Sequence, residues 1–313
     1  MTRLSVVVPV YNSEEILADL VAQLGPVLRG LADDFEIILV DDGSRDGSWR
    51  VAASLSRGDD RVRAVRLMRN FGQHNALLCG IRRARYETIV TMDDDLQHPP
   101  SEIPKLLAKL DEGHDVVYGP PVRERHGPLR DIASQMTKLA LQGTMGASTA
   151  RQVSAFRAFR KTVSEAFRNY SGSFVSIDVL LTWGTTRFAA VPVRHDPRRA
   201  GVSNYTVRKL ITHAVNMATG FSVVPLQLAS LIGFAFTVFG VGVLAYVVGR
   251  YLMFGSSVAG FPFLASIIAI FSGAQLFALG IIGEYLARMH FRLMEKPSYA
   301  VREETSPVES EPA

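Results

Sequence analysis

Three consecutive carboxylates and an amide, Asp93-Asp94-Asp95-Leu96-Gln97, close an apolar run, Glu87-Thr88-Ile89-Val90-Thr91-Met92. Hard oxygen donors crowded at the end of a buried strand are costly unless a cation sits among them, and Mg²⁺ or Mn²⁺ prefers such ligands. A cation held by few protein groups keeps positions open for phosphate oxygens. On its own the triplet reads equally well as an acidic turn. A second acidic pair, Asp41-Asp42, ends another apolar run at 35–40.

The elements that must position these groups follow from the pattern. Residues 4–10, 35–40, 62–67, 87–92 and 115–118 are short runs rich in β-branched side chains, which predict strands. Between them, 14–31 gathers Ile16, Leu17, Leu20, Leu24, Val27 and Leu28 on one helical face, and 47–56, 72–85 and 100–112 continue the alternation. Strands alternating with helices predict an α/β domain with a mostly parallel sheet covered on both sides. Such sheets bind ligands beyond the C-terminal strand ends, where both acidic clusters stand. No Gly-x-Gly-x-x-Gly follows the first strand and no Gly-Lys-Ser/Thr loop occurs, which argues against a dinucleotide dehydrogenase and a P-loop ATPase.

Composition narrows the class further. The 313 residues are 48% hydrophobic with a formal net charge of only +4. The basic residues are scattered, so nucleic acid is not an expected partner. Cys79 is the only cysteine, which rules out an internal disulfide and a thiol metal cluster, and its apolar surroundings predict a core role. Met1-Thr2-Arg3 leads directly into a strand, without a signal peptide.

The apolar excess lies near the C-terminus. No Asp, Glu, Lys or Arg occurs from Leu210 to Gly249, nor from Tyr251 to Gly283. As helix, 225–249 measures roughly 37 Å, enough to cross a bilayer, and 261–283 is about as long. Gly233, Gly240, Gly242, Gly273, Gly280 and Gly283 would allow close helix contact. Two buried core helices are the alternative, a poor one for runs this long. Val207, Leu210, Ile211, Ala214, Val215 and Met217 share a face beside Arg208 and Lys209, which predicts an interfacial helix. Arg198, Arg199, Arg208 and Lys209 precede the first span, Arg288, Arg292, Lys296 and Arg302 follow the second, and Arg250 alone lies between. That asymmetry puts both termini in the cytoplasm. The Pro-, Ser- and Glu-containing tail after Pro297 predicts disorder. The expected organisation is a catalytic domain at 1–204, an interfacial helix at 205–222, a two-helix membrane hairpin at 223–288 and a partly disordered cytoplasmic tail at 289–313.

Several motifs in order carry a family resemblance. Val6-Val7-Val8-Pro9-Val10-Tyr11-Asn12 with Glu14-Glu15, then Leu39-Val40-Asp41-Asp42-Gly43-Ser44, then Asp93-x-Asp95 resemble family 2 glycosyltransferases. The longer Asp93-Asp94-Asp95-Leu96-Gln97-His98-Pro99-Pro100-x-Glu102 resembles the subgroup that charges polyprenyl phosphate with a sugar. That subgroup holds dolichol-phosphate mannose synthases and undecaprenyl-phosphate glucosyl- and aminoarabinose transferases. Arg69-Asn70-Phe71-Gly72-Gln73-His74, Arg198-x-x-Gly201-x-Ser203-x-Tyr205 and Gly283-Glu284-Tyr285-Leu286-x-Arg288 resemble the aminoarabinose branch. Each motif is weak alone; their order and spacing over nearly the whole chain are specific.

The resemblance implies a Rossmann-like GT-A domain and a role for each matching residue. Pro9, Tyr11, Glu14 and Asp42 would hold the nucleotide, while Asp41 would be structural. Asp93, Asp95 and Gln97 would bind Mg²⁺ or Mn²⁺ and the diphosphate. Asp94 stands where the family usually has a small residue and is not assigned as a ligand. Arg123, Arg130, Ser134 and Arg198 would hold the acceptor phosphate. Asp178 stands where related inverting enzymes place a general base, with a surface acid as the alternative. A phosphate monoester is largely dianionic at neutral pH and needs no base to attack. His74, His98 and His195 read as satisfied polar residues rather than catalysts.

The expectation is a metal-dependent inverting transferase of the bacterial inner membrane. It would move one sugar from a nucleotide sugar, UDP-linked rather than GDP-linked, to polyprenyl phosphate. Relatives form membrane-bound tetramers, so a homo-oligomer is implied. Arg151-Gln152-Val153-Ser154-Ala155-Phe156-Arg157 departs from the pattern of glucosyl relatives, so the sugar stays open. A processive polysaccharide synthase would carry Gln-x-x-Arg-Trp, and neither Trp49 nor Trp183 sits in one. A non-catalytic scaffold or flippase subunit would not need the Asp93-x-Asp95-x-Gln97 set.

Overall fold

The computed structural model describes residues 2–122, 152–172, 175–196, 224–255, 260–294 and 296–305. The chain divides into two compact units, Met1–Leu210 with Glu295–Ala313, and Ile211–Met294.

In the first unit the described residues form an eight-stranded mixed sheet in the order β7-β5-β6-β4-β1-β2-β3-β8. Its centre is parallel: β1 (Arg3–Val10) lies between β2 (Asp34–Asp41) and β4 (Thr88–Thr91), and β3 (Val62–Leu67) flanks β2. Helices α1 (Leu17–Leu31), α2 (Ser48–Gly58), α3 (Gln73–Arg83) and α4 (Ile103–Asp111) link these strands. The central strands are buried almost end to end, because helices cover both faces, and their unbroken apolar runs reflect it. Leu17, Leu20, Leu24 and Leu28 of α1 are fully buried, as the helical spacing predicts. Gly80 lets α3 lie close on the sheet; a Cβ there would stand 2.3 Å from Val7 Cγ1. Cys79 is buried in the core and burial pushes its thiol up to about 12.

The mixed half of the sheet departs from the expected pattern. Strand β6 (Arg157–Arg160) runs antiparallel between β4 and β5 (Val116–Tyr118), and β7 (Phe188–Ala190) pairs parallel with β5. Short helices α5 (Lys161–Glu165) and α6 (Ile177–Leu181) complete this side.

The tail expected to be disordered after Pro297 is folded over 298–305. Strand β8 (Val301–Glu304) pairs antiparallel with β3 at the sheet edge. Ser298 is buried and donates to the Gly172 carbonyl, and Ala64 N–H donates to Thr305 Oγ1. Charge complementarity holds this edge: Glu303 meets Arg66, and Glu304 meets Arg63 and Arg83.

The second unit contains α7 (Val224–Phe254) and α8 (Phe261–Leu293). Within them, Leu226–Phe254 and Ile270–Ala287 have mean hydropathy of 2.3 and 1.4, and both are long and apolar enough to cross a membrane. Their apolar side chains are exposed, as Leu231, Phe234, Leu276 and Phe277 illustrate, rather than packed into a core. Of the six glycines expected to bring the helices together, among the described residues only Gly240 leaves no room for a Cβ, which would stand 3.0 Å from Phe271 Cζ. The expected interfacial helix at 205–222 lies outside the described residues.

Candidate active site

The C-terminal ends of β1, β2 and β4 converge on a cavity of ≈ 230 Å³. Strand β1 and its loop contribute Pro9, Val10 and Tyr11, and the residue after β2 contributes Asp42. The β3–α3 loop supplies Asn70 and Gly72, the first residue of α3 supplies Gln73, and the segment after β4 supplies Asp93, Asp94 and Asp95. A larger cavity of ≈ 700 Å³ lies between Arg82, Tyr170 and Tyr299, and among the described residues its lining includes neither a carboxylate nor any strand-end residue. Size does not decide here; the convergence of carboxylates at parallel strand ends does.

Sharp turns build the smaller cavity. Gly43 follows β2 at φ +68, and a Cβ there would stand 2.5 Å from the Arg69 carbonyl carbon, so the β2 and β3 loops touch backbone to backbone. Asn12 and Leu96 both adopt left-handed φ, 54° and 55°. Asparagine tolerates that region, but for leucine it is strained, and such residues gather at functional loops.

Asp42 is buried and accepts the Phe71 N–H at 2.7 Å and the Gly72 N–H at 2.8 Å. Burial nevertheless dominates and pushes its carboxyl up to about 6, against the pull of those two N–H donors. Asp41 is fully buried, accepts the Ser44 N–H at 3.2 Å and pairs with Arg66 at 3.4 Å. It does not line the cavity. Tyr11 lines the cavity and is 40% exposed.

The three carboxylates after β4 point to different partners. Gln73 Nε2 donates to Asp93 Oδ1 at 2.5 Å, Asp95 Oδ1 accepts the Gln97 N–H at 3.1 Å, and Asp94 reaches Tyr11 and Ser13. Among the described residues no group of three or more His, Cys, Asp or Glu encloses a metal site. Asp93 and Asp95 instead offer hard oxygens to an open cavity without thiol or imidazole ligands. That donor set fits Mg²⁺ or Mn²⁺ completed by phosphate and water.

Some expected site residues stand elsewhere. Glu14 does not line the cavity; its carboxylate accepts the Gly47 N–H at 2.8 Å and pairs with Arg50 at 2.7 Å. Gln97 is also outside the lining, and its carbonyl accepts the Asp196 N–H at 2.8 Å. Asp178 forms a short ion pair with Arg157, which is 1% exposed. His74 accepts the Ile177 N–H at 3.3 Å. His98 stacks on Phe156 at 5.2 Å and meets His195 edge-on at 4.9 Å. Its two buried ring nitrogens have no hydrogen-bond partner among the described residues, contrary to the satisfied histidine expected. Burial, with His195 beside it, pushes His98 down to about 4, so it packs as a neutral ring. Arg123, Arg130, Ser134 and Arg198 lie outside the described residues. Asn70 and Gln73 were not anticipated as lining residues, although both sit in the Arg69–His74 motif.

Parallel strands ending in a carboxylate-lined cavity define an α/β domain that binds ligands beyond its C-terminal strand ends. The glycosyl transferase family 2 model matches residues 5–168, and the chain belongs to that family. Solved structures of similar fold include glucosyl-3-phosphoglycerate synthase from Mycobacterium tuberculosis. Its complex with Mn²⁺, UDP and glucosyl-3-phosphoglycerate aligns with a TM-score of 0.53 at 20% identity, covering 69% of this chain and 77% of that one. Its complex with Mn²⁺ and UDP-glucose aligns with a TM-score of 0.53 at 20% identity, covering 69% and 76%. At that identity the likeness establishes the GT-A-like fold alone.

Proposed function

We propose that this glycosyltransferase is membrane-anchored and transfers one sugar, with inversion, from a UDP-sugar to the phosphate of a polyprenyl phosphate. The observation that carries the donor half is the convergence of Pro9, Tyr11, Asp42, Asp93 and Asp95 on one cavity at parallel strand ends. The solved relatives of similar fold hold Mn²⁺ and UDP, which supports the same donor chemistry. The acceptor half is supported by the motif order from Asp93 to Arg288 and by two helices of membrane-spanning length.

In this reading Tyr11 stacks on the base, and Asp42, when ionised, accepts a base or ribose proton. Asp93 and Asp95 hold Mg²⁺ or Mn²⁺, which when bound neutralises the leaving diphosphate. Gln73 orients Asp93 through its amide. Arg123, Arg130, Ser134 and Arg198 are the proposed grip on the acceptor phosphate, since arginine's fork matches phosphate oxygens in pairs. The phosphate oxygen attacks the anomeric carbon as the bond to the nucleotide breaks. Positioning and electrostatics supply the rate, and no protein base is required. Charge asymmetry around the two helices supports a cytoplasmic catalytic domain and cytoplasmic termini.

The test is transfer by the purified full-length protein, with a panel of radiolabelled nucleotide sugars, polyprenyl phosphate and Mn²⁺. A lipid-soluble labelled product with one sugar is expected. Label in a growing polymer, or none from any donor, would refute the proposal.

A further inference from the structure

The middle carboxylate of the triplet reaches across to a different loop. Asp94 Oδ2 accepts the Tyr11 N–H at 3.2 Å and also a short hydrogen bond from the Ser13 hydroxyl. Both donors belong to the loop that follows β1 and carries Tyr11 to the cavity. On its other side that loop is already tied to the β2–α2 segment. Asn12 N–H donates to Ser44 Oγ at 3.0 Å, Arg45 N–H to Asn12 Oδ1 at 2.9 Å, and Ser13 N–H to Ser48 Oγ at 2.7 Å. Asn12 holds a left-handed φ of 54° at the apex, a conformation that persists when neighbours over-determine it.

We infer that Asp94 is a positioning residue that latches the loop carrying Tyr11 to the loop carrying Asp93 and Asp95. The inference rests on the proposed function for what the two loops bind, and on the hydrogen bonds alone for the latch. Because Asp94 sits between Asp93 and Asp95 in the chain, pulling the Tyr11–Ser13 loop onto it sets the distance between aromatic face and carboxylates. A nucleoside diphosphate must span that distance, base at one end and diphosphate at the other. The latch therefore preorganises the cavity for a ligand of fixed length. It also couples the ends: a ligand that orders one loop favours the ordered state of the other.

Both donors use a single carboxylate oxygen, which makes the idea sharply testable. Asn at 94 can offer its carbonyl oxygen to both, without charge; Ala can offer nothing. The measurements are hydrogen–deuterium exchange of peptides covering 10–14 in the full-length protein, and calorimetric binding of UDP with Mn²⁺ present. For Asp94→Asn, exchange and affinity should stay within about twofold of the parent. For Asp94→Ala, exchange at 11–13 should rise and UDP affinity fall, each about tenfold or more. Ser13→Ala should fall between, and Ser13→Ala combined with Asp94→Ala should be no worse than Asp94→Ala alone, because the two act through one contact. Parent-like exchange in Asp94→Ala would overturn the latch. So would an Asp94→Asn variant with parent-like exchange but UDP affinity as poor as Asp94→Ala, which would make Asp94 a charge rather than a brace. If the parent itself binds no UDP, the proposed donor fails, while exchange still decides the latch.

Discussion

Arg83 and Glu304 meet at 2.9 Å although 221 residues separate them, and both long apolar helices lie in that interval. The chain leaves the catalytic unit, forms α7 and α8, and returns to add an edge strand to the same sheet. Burial alone would raise the Glu304 carboxyl, but Arg83 and Arg63 hold it below its ordinary value.

A chain that returns to its own sheet must have both flanks of the helix pair on one side of any membrane it crosses. Reporters fused before Met1 and after Ala313 should therefore report the same compartment, the cytoplasm, and a reporter inserted at 256–259 the opposite one. Protease protection in inverted vesicles checks this. Opposite locations for the two termini would mean that β8 does not pair with β3 in the membrane-bound protein.

The Arg157–Asp178 pair bears on whether a carboxylate base operates. Removing one partner strands a buried charge, so Asp178→Asn should cost about 3–5 kcal/mol of stability. The surviving folded enzyme should transfer sugar within about tenfold of the parent, since a phosphate dianion attacks unaided. Thermal unfolding beside activity per folded molecule separates the two effects. Parent-like stability with activity lost would make Asp178 the base.

Asp42 gives a pH signature. Its folded carboxyl lies at about 6, above the ordinary value, because of burial. Protonation is thus favoured by folding: its contribution to stability is full at low pH and is lost as pH rises through about 6. Under the proposed function nucleotide binding has the opposite sign, because the ionised carboxylate accepts a base or ribose proton more strongly than the protonated acid. Affinity for a UDP-sugar, whose diphosphate does not titrate in this window, should weaken as pH falls from 7 to 5. In Asp42→Ala it should be weak and flat over that range. Calorimetry at several pH values checks it; a parallel slope in Asp42→Ala would place the titrating group elsewhere.

The parallel half of the sheet was legible because it is built from uninterrupted apolar runs separated by amphipathic helices. Strand β6 was not, because Arg157 and Arg160 make Arg157–Arg160 read as surface. Arg157 is buried with partners distant in the chain, Asp178 21 residues on and the Thr91 hydroxyl 66 residues back. Strand β8 was missed for a similar reason. Val301–Glu304 is acidic and follows a proline, and its order depends on Arg63, Arg66 and Arg83 far away in the chain. In the site, strand-end reasoning pointed to Asp42, Asp93 and Asp95, and the family resemblance added Pro9 and Tyr11; all five line one cavity. The resemblance, rather than the strand-end pattern, is also the source of Glu14, which the Gly47 N–H and Arg50 engage instead. Gln73 escaped notice because its role depends on where α3 begins, one residue after the positive-φ Gly72.

On the acceptor side, Arg198→Ala should weaken use of polyprenyl phosphate strongly while leaving UDP-sugar affinity within about twofold. Lysine should rescue only in part, because a point charge lacks the bidentate fork. Acceptor kinetics beside donor calorimetry checks it, and lost donor affinity with unchanged acceptor kinetics would sink the assignment.

The most direct measurement is transfer of labelled sugar from UDP-sugar to polyprenyl phosphate by the parent and by Asp95→Asn, both folded and supplied with Mn²⁺. Asparagine keeps the size of the side chain and removes the charge proposed to face the diphosphate. Single-sugar lipid product from the parent, and a fall of about 100-fold or more in the variant, is the predicted result. Equal rates in the two proteins, or no lipid product from the parent, would contradict it.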